Sequence, residues 1–277
     1  MVNEATYYHL HIPKTAGTTF RSMFENEFGF NRCLSPLLTH YEMLRLPKEQ
    51  FESYRLYGGH LEYGYYLPSL IGRELYTFTL LRDPSTQLIS LYKQVVQEVR
   101  DPLHEYVMQN CPSIGEFLHD ELICRELYNP QTVFLALAER RFTPTVIEQV
   151  QQAESLEQYY LIVAEANRTQ DTLRQAPDYL LSTALSRLEE CDFVGISEEV
   201  DTCLSYLRRQ IYWPNTDEIP SQNVSNVPVS NKELDCIRPR IEELTALDRV
   251  LYQYAVERVK SRQGAKHECF VSSVKAA

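Results

Sequence analysis

The sequence is short of positive charge: 27 Lys and Arg stand against 38 Asp and Glu, a formal net charge of −11 over 277 residues. Such a field repels polyanions, so non-specific binding to nucleic acid, anionic membrane or sulfated polymer is excluded as a function. Any anionic ligand must be met by a local cluster of donors. No apolar stretch reaches the roughly 18 residues of a membrane-spanning helix. No charged segment followed by an apolar one opens the chain, so a cytoplasmic protein without a membrane span is expected. The sequons Asn223-Val224-Ser225 and Asn167-Arg168-Thr169 then read as incidental. The seven cysteines (33, 111, 124, 191, 203, 236 and 269) are odd in number, scattered and never spaced C-x-x-C. Neither a zinc site nor a disulfide framework is signalled, and free thiols in a reducing compartment are expected. No G-x-x-x-x-G-K-[ST] loop occurs either.

What is present has the balance of a folded globular chain, 44% hydrophobic and 23% charged. The length suits one large domain, taken as residues 1–263 with a flexible tail over 264–277. Residues 6–12 read as a buried strand leading into Pro13-Lys14-Thr15-Ala16-Gly17-Thr18-Thr19. Phe20, Met23, Phe24 and Phe28 then mark one face of a helix. Further strands are expected over 54–61, 75–81 and 192–197. The third of the four runs into Arg82-Asp83-Pro84, an N-cap with Pro at the first helical position, and Leu88, Leu91, Val95 and Val99 supply that helix's stripe. Residues 101–190 read as mostly helical, punctuated by prolines, and would carry the acceptor-binding elements. A helix is expected through Trp213, a polar loop over 214–230, then one long final helix carrying Leu234, Ile237, Ile241, Leu244, Leu251 and Tyr254. Strands alternating with helices predict an α/β fold, a parallel sheet in three layers with helices on its faces.

Three segments carry chemistry. In the first, Lys14 to Thr19 lie between a strand end and a helix start, where unpaired N–H groups and the helix dipole favour an anion. Gly17 would let backbone approach the ligand, and Lys14 with the hydroxyls of Thr15, Thr18 and Thr19 would add donors. In the second, Arg82 sits at the carboxyl end of a strand, where open α/β sheets bind ligands, with Ser90 eight residues on. In the third, Gly58-Gly59-His60-Leu61-Glu62-Tyr63 places a candidate general base, His60, at a glycine-softened strand end, with Glu62 as a fallback. His9 and His11 read as buried sheet residues.

Together the segments H-I-P-K-T-A-G-T-T, R-D-P-x5-S and G-G-H-x-x-Y resemble sulfotransferases that use 3'-phosphoadenosine 5'-phosphosulfate (PAPS), those related to the heparan and dermatan 2-O-sulfotransferases. The likeness continues through Asn129-Pro130-Gln131-Thr132, Phe193 to Glu198, and Asp248 to Tyr252, spanning roughly residues 7 to 260. It implies a P-loop-like nucleotide-binding fold with a helical middle region, and PAPS as donor without a metal. Lys14, Thr15, Ala16, Gly17, Thr18 and Thr19 would wrap the 5'-phosphosulfate, Arg82 and Ser90 would hold the 3'-phosphate, and His60 would match the catalytic histidine. A loop before the last helix closes over the nucleotide in that family, often with basic side chains. Its counterpart here, residues 221–226 with Asn223 and Ser225, carries no Lys or Arg.

The expected reaction moves a sulfuryl group to an acceptor hydroxyl on a glycan, lipid or secondary metabolite. The acid chain, with no Lys/Arg-rich stretch outside these motifs, points to a neutral or weakly charged acceptor. Two rival readings stay open, a kinase with a degenerate phosphate loop in which Asp83 would hold Mg²⁺, and a non-catalytic nucleotide-binding protein. Oligomeric state is open as well.

Overall fold

A computed structural model describes residues 5–59, 66–210 and 227–274. Its centre is a sheet of four short strands, β1 (Tyr7–Leu10), β2 (Leu56–Gly59), β3 (Tyr76–Leu81) and β4 (Phe193–Ile196). All pairings are parallel, in the order β2-β1-β3-β4. The four strands expected from sequence are therefore present, β2 as far as the described residues reach. The fold is α/β, a parallel sheet flanked by helices.

Side-chain alternation along the strands divides the core. Tyr7, Phe78, Leu80 and Phe193 point to one face, where they bury Phe20, Met23 and Phe24 of the Gly17–Phe28 helix and Leu204 and Leu207 of the Val200–Gln210 helix. Tyr8, Leu10, Leu81, Val194 and Ile196 point to the other, against Leu180, Ala184 and Leu188 of the Pro177–Glu190 helix and Leu251 and Ala255 of the Ala246–Val274 helix. Burial on both faces is why these strands read as almost unbroken apolar runs. Gly195 lets one layer close in: a Cβ there would lie 2.8 Å from Cys203 Sγ on the Val200–Gln210 helix.

Residues 101–190 form the expected helical region, and Pro130, Pro144 and Pro177 each open a helix, where the missing N–H costs nothing. Leu88, Tyr92 and Val95 of the Pro84–Gln97 helix pack there against Val107, Phe117 and Ile123, and against Ile237 and Ile241 further on. Among the described residues no helix is long and apolar enough to cross a membrane. Cys33, Cys111, Cys124, Cys191, Cys203 and Cys236 are free thiols, as expected.

Two expectations need correction. Val99 does not continue its helix's buried stripe; the helix ends at Gln97, Glu98 leaves helical geometry (φ −93, ψ 98), and Val99 is 75% exposed. The single long final helix is two, Asn231–Leu244 and Ala246–Val274, with Thr245 out of helical geometry between them (φ −119, ψ 21). The cause of that break lies elsewhere in the chain. Asn129 donates its N–H to Leu244 O at 2.7 Å, and its Oδ1 accepts from Leu247 N at 2.7 Å and Asp248 N at 3.2 Å. A side chain from the helical middle thus ends one helix and caps the next.

Asp248, fully buried, completes this junction by accepting from Gln131 N at 3.1 Å, Thr132 N at 2.7 Å and Thr132 Oγ1 at 2.6 Å. Burial pushes its carboxyl up from 3.8 to about 6, against the pull of the Thr132 and Gln131 donors. The folded chain then holds this proton more tightly than the unfolded chain, so acidification from neutral pH adds stability through Asp248 rather than removing it. Asp248→Asn lacks that contribution. In urea denaturation the stability gap between wild type and Asp248→Asn should widen by about 2–3 kcal/mol as pH falls from roughly 7 to 4. A constant gap would show that the carboxyl titrates normally.

Candidate functional site

In the order β2-β1-β3-β4 the chain leaves β1 toward one side and crosses to the other to form β3, so the switch point lies between β1 and β3. Ligands of open α/β sheets bind in the crevice outside the carboxyl ends of such strands. The loops that begin there are the first two sequence motifs, residues 11–16 after β1 and Arg82-Asp83 after β3.

The first loop has an unusual backbone. Lys14 and Ala16 both have φ +67, while Thr15 and Gly17 between and after them do not enter positive φ. Left-handed geometry at a non-glycine residue costs about 1–2 kcal/mol each. Alternating φ signs turn successive N–H groups toward one point and form an anion-binding concavity. Ala16 offers no side-chain cap to the Gly17–Phe28 helix, so the helix's positive end opens onto that concavity.

Hydrogen bonds from three sides hold the strained loop. Thr15, fully buried, donates its hydroxyl to Ile12 O at 2.8 Å, Gln87 Nε2 donates to Pro13 O at 2.8 Å, and Arg82 Nη1 donates to Lys14 O at 3.0 Å. The hydroxyl of Thr15 is therefore spent inside the loop, and its remaining donor is its backbone N–H. Thr18 is exposed and Thr19 buried. Gly17 is needed for a reason other than ligand approach: a Cβ there would lie 2.0 Å from His11 Nε2, so the imidazole occupies the space a side chain would fill. His9 is a core residue, stacked on Phe78 at 4.6 Å, and its burial, with His11 and Arg21 nearby, holds its pKa well below the ordinary histidine value. His11 lies one residue past β1, stacked on His9 at 5.0 Å but only half-buried.

The second loop is fixed by side chains from the motifs that looked weakest in sequence. Gln131 accepts from Arg82 N at 3.0 Å through Oε1 and donates to Arg82 O at 2.9 Å through Nε2. Glu198, just past β4, accepts from Asp83 N at 3.0 Å and from Tyr252 Oη at 3.0 Å. Asp83 Oδ1 accepts from Thr86 N at 2.9 Å, the N-cap expected of an Asp-Pro helix start. With these backbone groups occupied, the loop can offer an anion only side chains. Arg82 directs Nε to Thr86 Oγ1 at 3.2 Å and Nη1 to Lys14 O, leaving Nη2 outside these bonds. Thr86 and Ser90, four residues apart, share a helix face, so Ser90 lies one turn beyond the guanidinium contact.

Lys14 and Arg82 are thus two cations beside one concavity. Burial lowers the Lys14 pKa, the Arg82 charge lowers it further, and Asp101 pulls it back up. An anion between the two cations would relieve their repulsion. His60, Glu62, Asn223 and Ser225 lie outside the described residues, so the candidate base and the loop before the last helices have no place in this geometry. Sequence reading missed Gln87, Gln131 and Glu198. Gln131 and Glu198 were at least inside motifs; Gln87 carried no signal, because nothing in a helix sequence tells which glutamine reaches across to another strand's loop.

Gly17→Ala should destabilise the chain by about 1–3 kcal/mol through overpacking against His11. The double variant His11→Ala/Gly17→Ala should lose less than the two single losses added together, as measured by chemical denaturation. Additive losses would mean the imidazole is not what fills the Gly17 space. The chain matches no known family model, and no curated protein sequence matches it.

Proposed function

We propose that the chain is a PAPS-dependent sulfotransferase that transfers a sulfuryl group to an acceptor hydroxyl. The observation that carries this reading is the strained loop of alternating φ at the β1/β3 switch point, with Lys14 in it and Arg82 bonded to it at 3.0 Å. Backbone donors, a helix terminus and two cations make a set suited to a ligand bearing more than one phosphate-like group. The resemblance of the three sequence motifs selects PAPS among such ligands.

In this reading the N–H groups of residues 15–18 hold the non-bridging oxygens of the 5'-phosphosulfate, the Thr19 N–H being taken by Ala16 O at 3.1 Å, and Arg82 with Ser90 holds the 3'-phosphate. Lys14 stabilises charge that grows on the bridging oxygen as its bond to sulfur breaks. The acceptor oxygen forms the new S–O bond and its proton passes to His60, assigned on the sequence motif. Preorganised donors of this kind are worth about 3–4 kcal/mol of barrier each, and a positioned base about 10²–10⁴ in rate.

A thermal-shift titration with adenosine 3',5'-bisphosphate, beside ATP with Mg²⁺, tests the donor site. Binding to the native state alone adds about 2.7 kcal/mol at a hundredfold excess over Kd. The bisphosphate should stabilise wild type, Arg82→Ala should abolish that gain, and Mg-ATP should give none. Stabilisation by Mg-ATP alone would replace this reading with a kinase; stabilisation by neither would leave a protein that does not bind nucleotide. Once an acceptor supports turnover, Lys14→Ala should lower kcat by roughly 10²–10³.

A further inference from the structure

A relay of hydrogen bonds runs from a buried carboxyl on the last helix to the anion loop. Asp248 divides its two oxygens: Oδ1 accepts from Thr132 N at 2.7 Å and Thr132 Oγ1 at 2.6 Å, while Oδ2 accepts from Gln131 N at 3.1 Å. Gln131, fully buried like Asp248, takes both backbone groups of Arg82, accepting from its N–H at 3.0 Å and donating to its carbonyl at 2.9 Å. Arg82 Nη1 ends the relay on Lys14 O at 3.0 Å.

A buried carboxyl is a costly way to join two helices, and Asn129 already makes that junction by capping the Ala246–Val274 helix. The N–H groups that Asp248 meets belong to the first turn of the Pro130–Arg141 helix, so the carboxyl also caps it. Yet the residue seated by Oδ2 is the one that grips Arg82. Charged groups on the elements around Asp248 have partners of their own. Glu198 holds Asp83 N and Tyr252, Arg249 faces Glu242 at 3.7 Å, and Glu189 accepts from Tyr254. Burial, opposed by the Thr132 and Gln131 bonds, is what raises the Asp248 carboxyl to about 6.

We infer that Asp248 is a positioning residue of the donor site, acting through Gln131 on the backbone of Arg82 and so on the guanidinium that meets the anion. The inference rests on the reading of Arg82 as a ligand for the donor's phosphate. An ionised acceptor makes hydrogen bonds roughly twice as strong as a neutral one. Above about pH 6 the carboxylate therefore grips Gln131 N, and protonation loosens that grip. Donor binding favours the ionised carboxyl, whereas folding favours the protonated one, because the folded pKa is the higher. As pH falls, Asp248 thus weakens ligand affinity while it adds stability. A residue that only capped a helix would leave the affinity of the folded protein unmoved.

The test is isothermal titration with adenosine 3',5'-bisphosphate and, separately, with pyrophosphate, on wild type, Asp248→Asn, Gln131→Met and the double variant. Circular dichroism establishes that each is folded. At pH 8 each single variant should bind roughly tenfold more weakly than wild type, the effect of losing one hydrogen bond to a charged group. The double variant should bind about as weakly as the weaker single one, because the two residues act in series. At about pH 5.5 the gap between wild type and Asp248→Asn should narrow to about threefold. Phosphate groups of the ligand titrate near pH 6 too, but equally for every protein compared. If Asp248→Asn does not fold, the same narrowing is read between wild type and Gln131→Met, in which the relay is cut. Wild-type affinity in the single variants, or a gap independent of pH, would overturn the inference while the sulfotransferase reading stands. If pyrophosphate binds wild type and the bisphosphate does not, that reading falls and the inference is judged on pyrophosphate. If neither binds, both fall.

Discussion

A single charge-assisted hydrogen bond, from Arg82 Nη1 to Lys14 O at 3.0 Å, ties together the two loops on which the rest of the site depends. It spans the sheet's switch point, joining the loop after β1 to the loop after β3. Two left-handed non-glycine residues strain the first loop by about 2–4 kcal/mol together. The bonds from Thr15, Gln87 and Arg82, each about 1 kcal/mol net and more for the charged donor, are of the size needed to hold it. Without Arg82 in place the strained conformation would lose its strongest external support.

Arg82 is in turn held by parts of the chain far away in sequence. Gln131 reads both backbone groups of Arg82, and Gln131 is seated by Asp248, which also binds Thr132. Glu198 holds the next residue, Asp83, and is shared with Tyr252. Three segments that looked merely supportive in sequence are thereby the scaffold of one turn. They need not touch a ligand to matter, because they decide where a guanidinium points. Burying an ionisable carboxyl at Asp248 is costly, and its three donors partly offset that cost while locking the junction of the last two helices.

Much of the fold was legible. The four strands and the Asp83-Pro84 helix start were set by local pattern, apolar runs between turn residues and an N-cap before proline. The helix stripe at Phe20, Met23 and Phe24 was equally local. The split of the final helix had its origin far from the local pattern. Thr245 sits in an apolar periodicity that would carry one helix from Leu234 to Tyr254, and only Asn129, over a hundred residues earlier, interrupts it. Gly17 was rightly singled out, but its reason, the imidazole of His11 above it, is a contact between side chain and backbone that no spacing announces.

Local sequence by itself determined which segments form strands, that Asp83 caps a helix, and that a Lys-Thr-Gly loop precedes a helix, because these follow from steric preference and apolar period within a few residues. Only the tertiary structure decided that Lys14 and Arg82 share a concavity, that Thr15 turns its hydroxyl inward, and that Gln87 is buried with its amide donating to Pro13 O. Those outcomes depend on strand order and on packing between elements separated by tens of residues. A sequence lists its donors and acceptors; which of them remain unpaired is settled when the chain closes on itself.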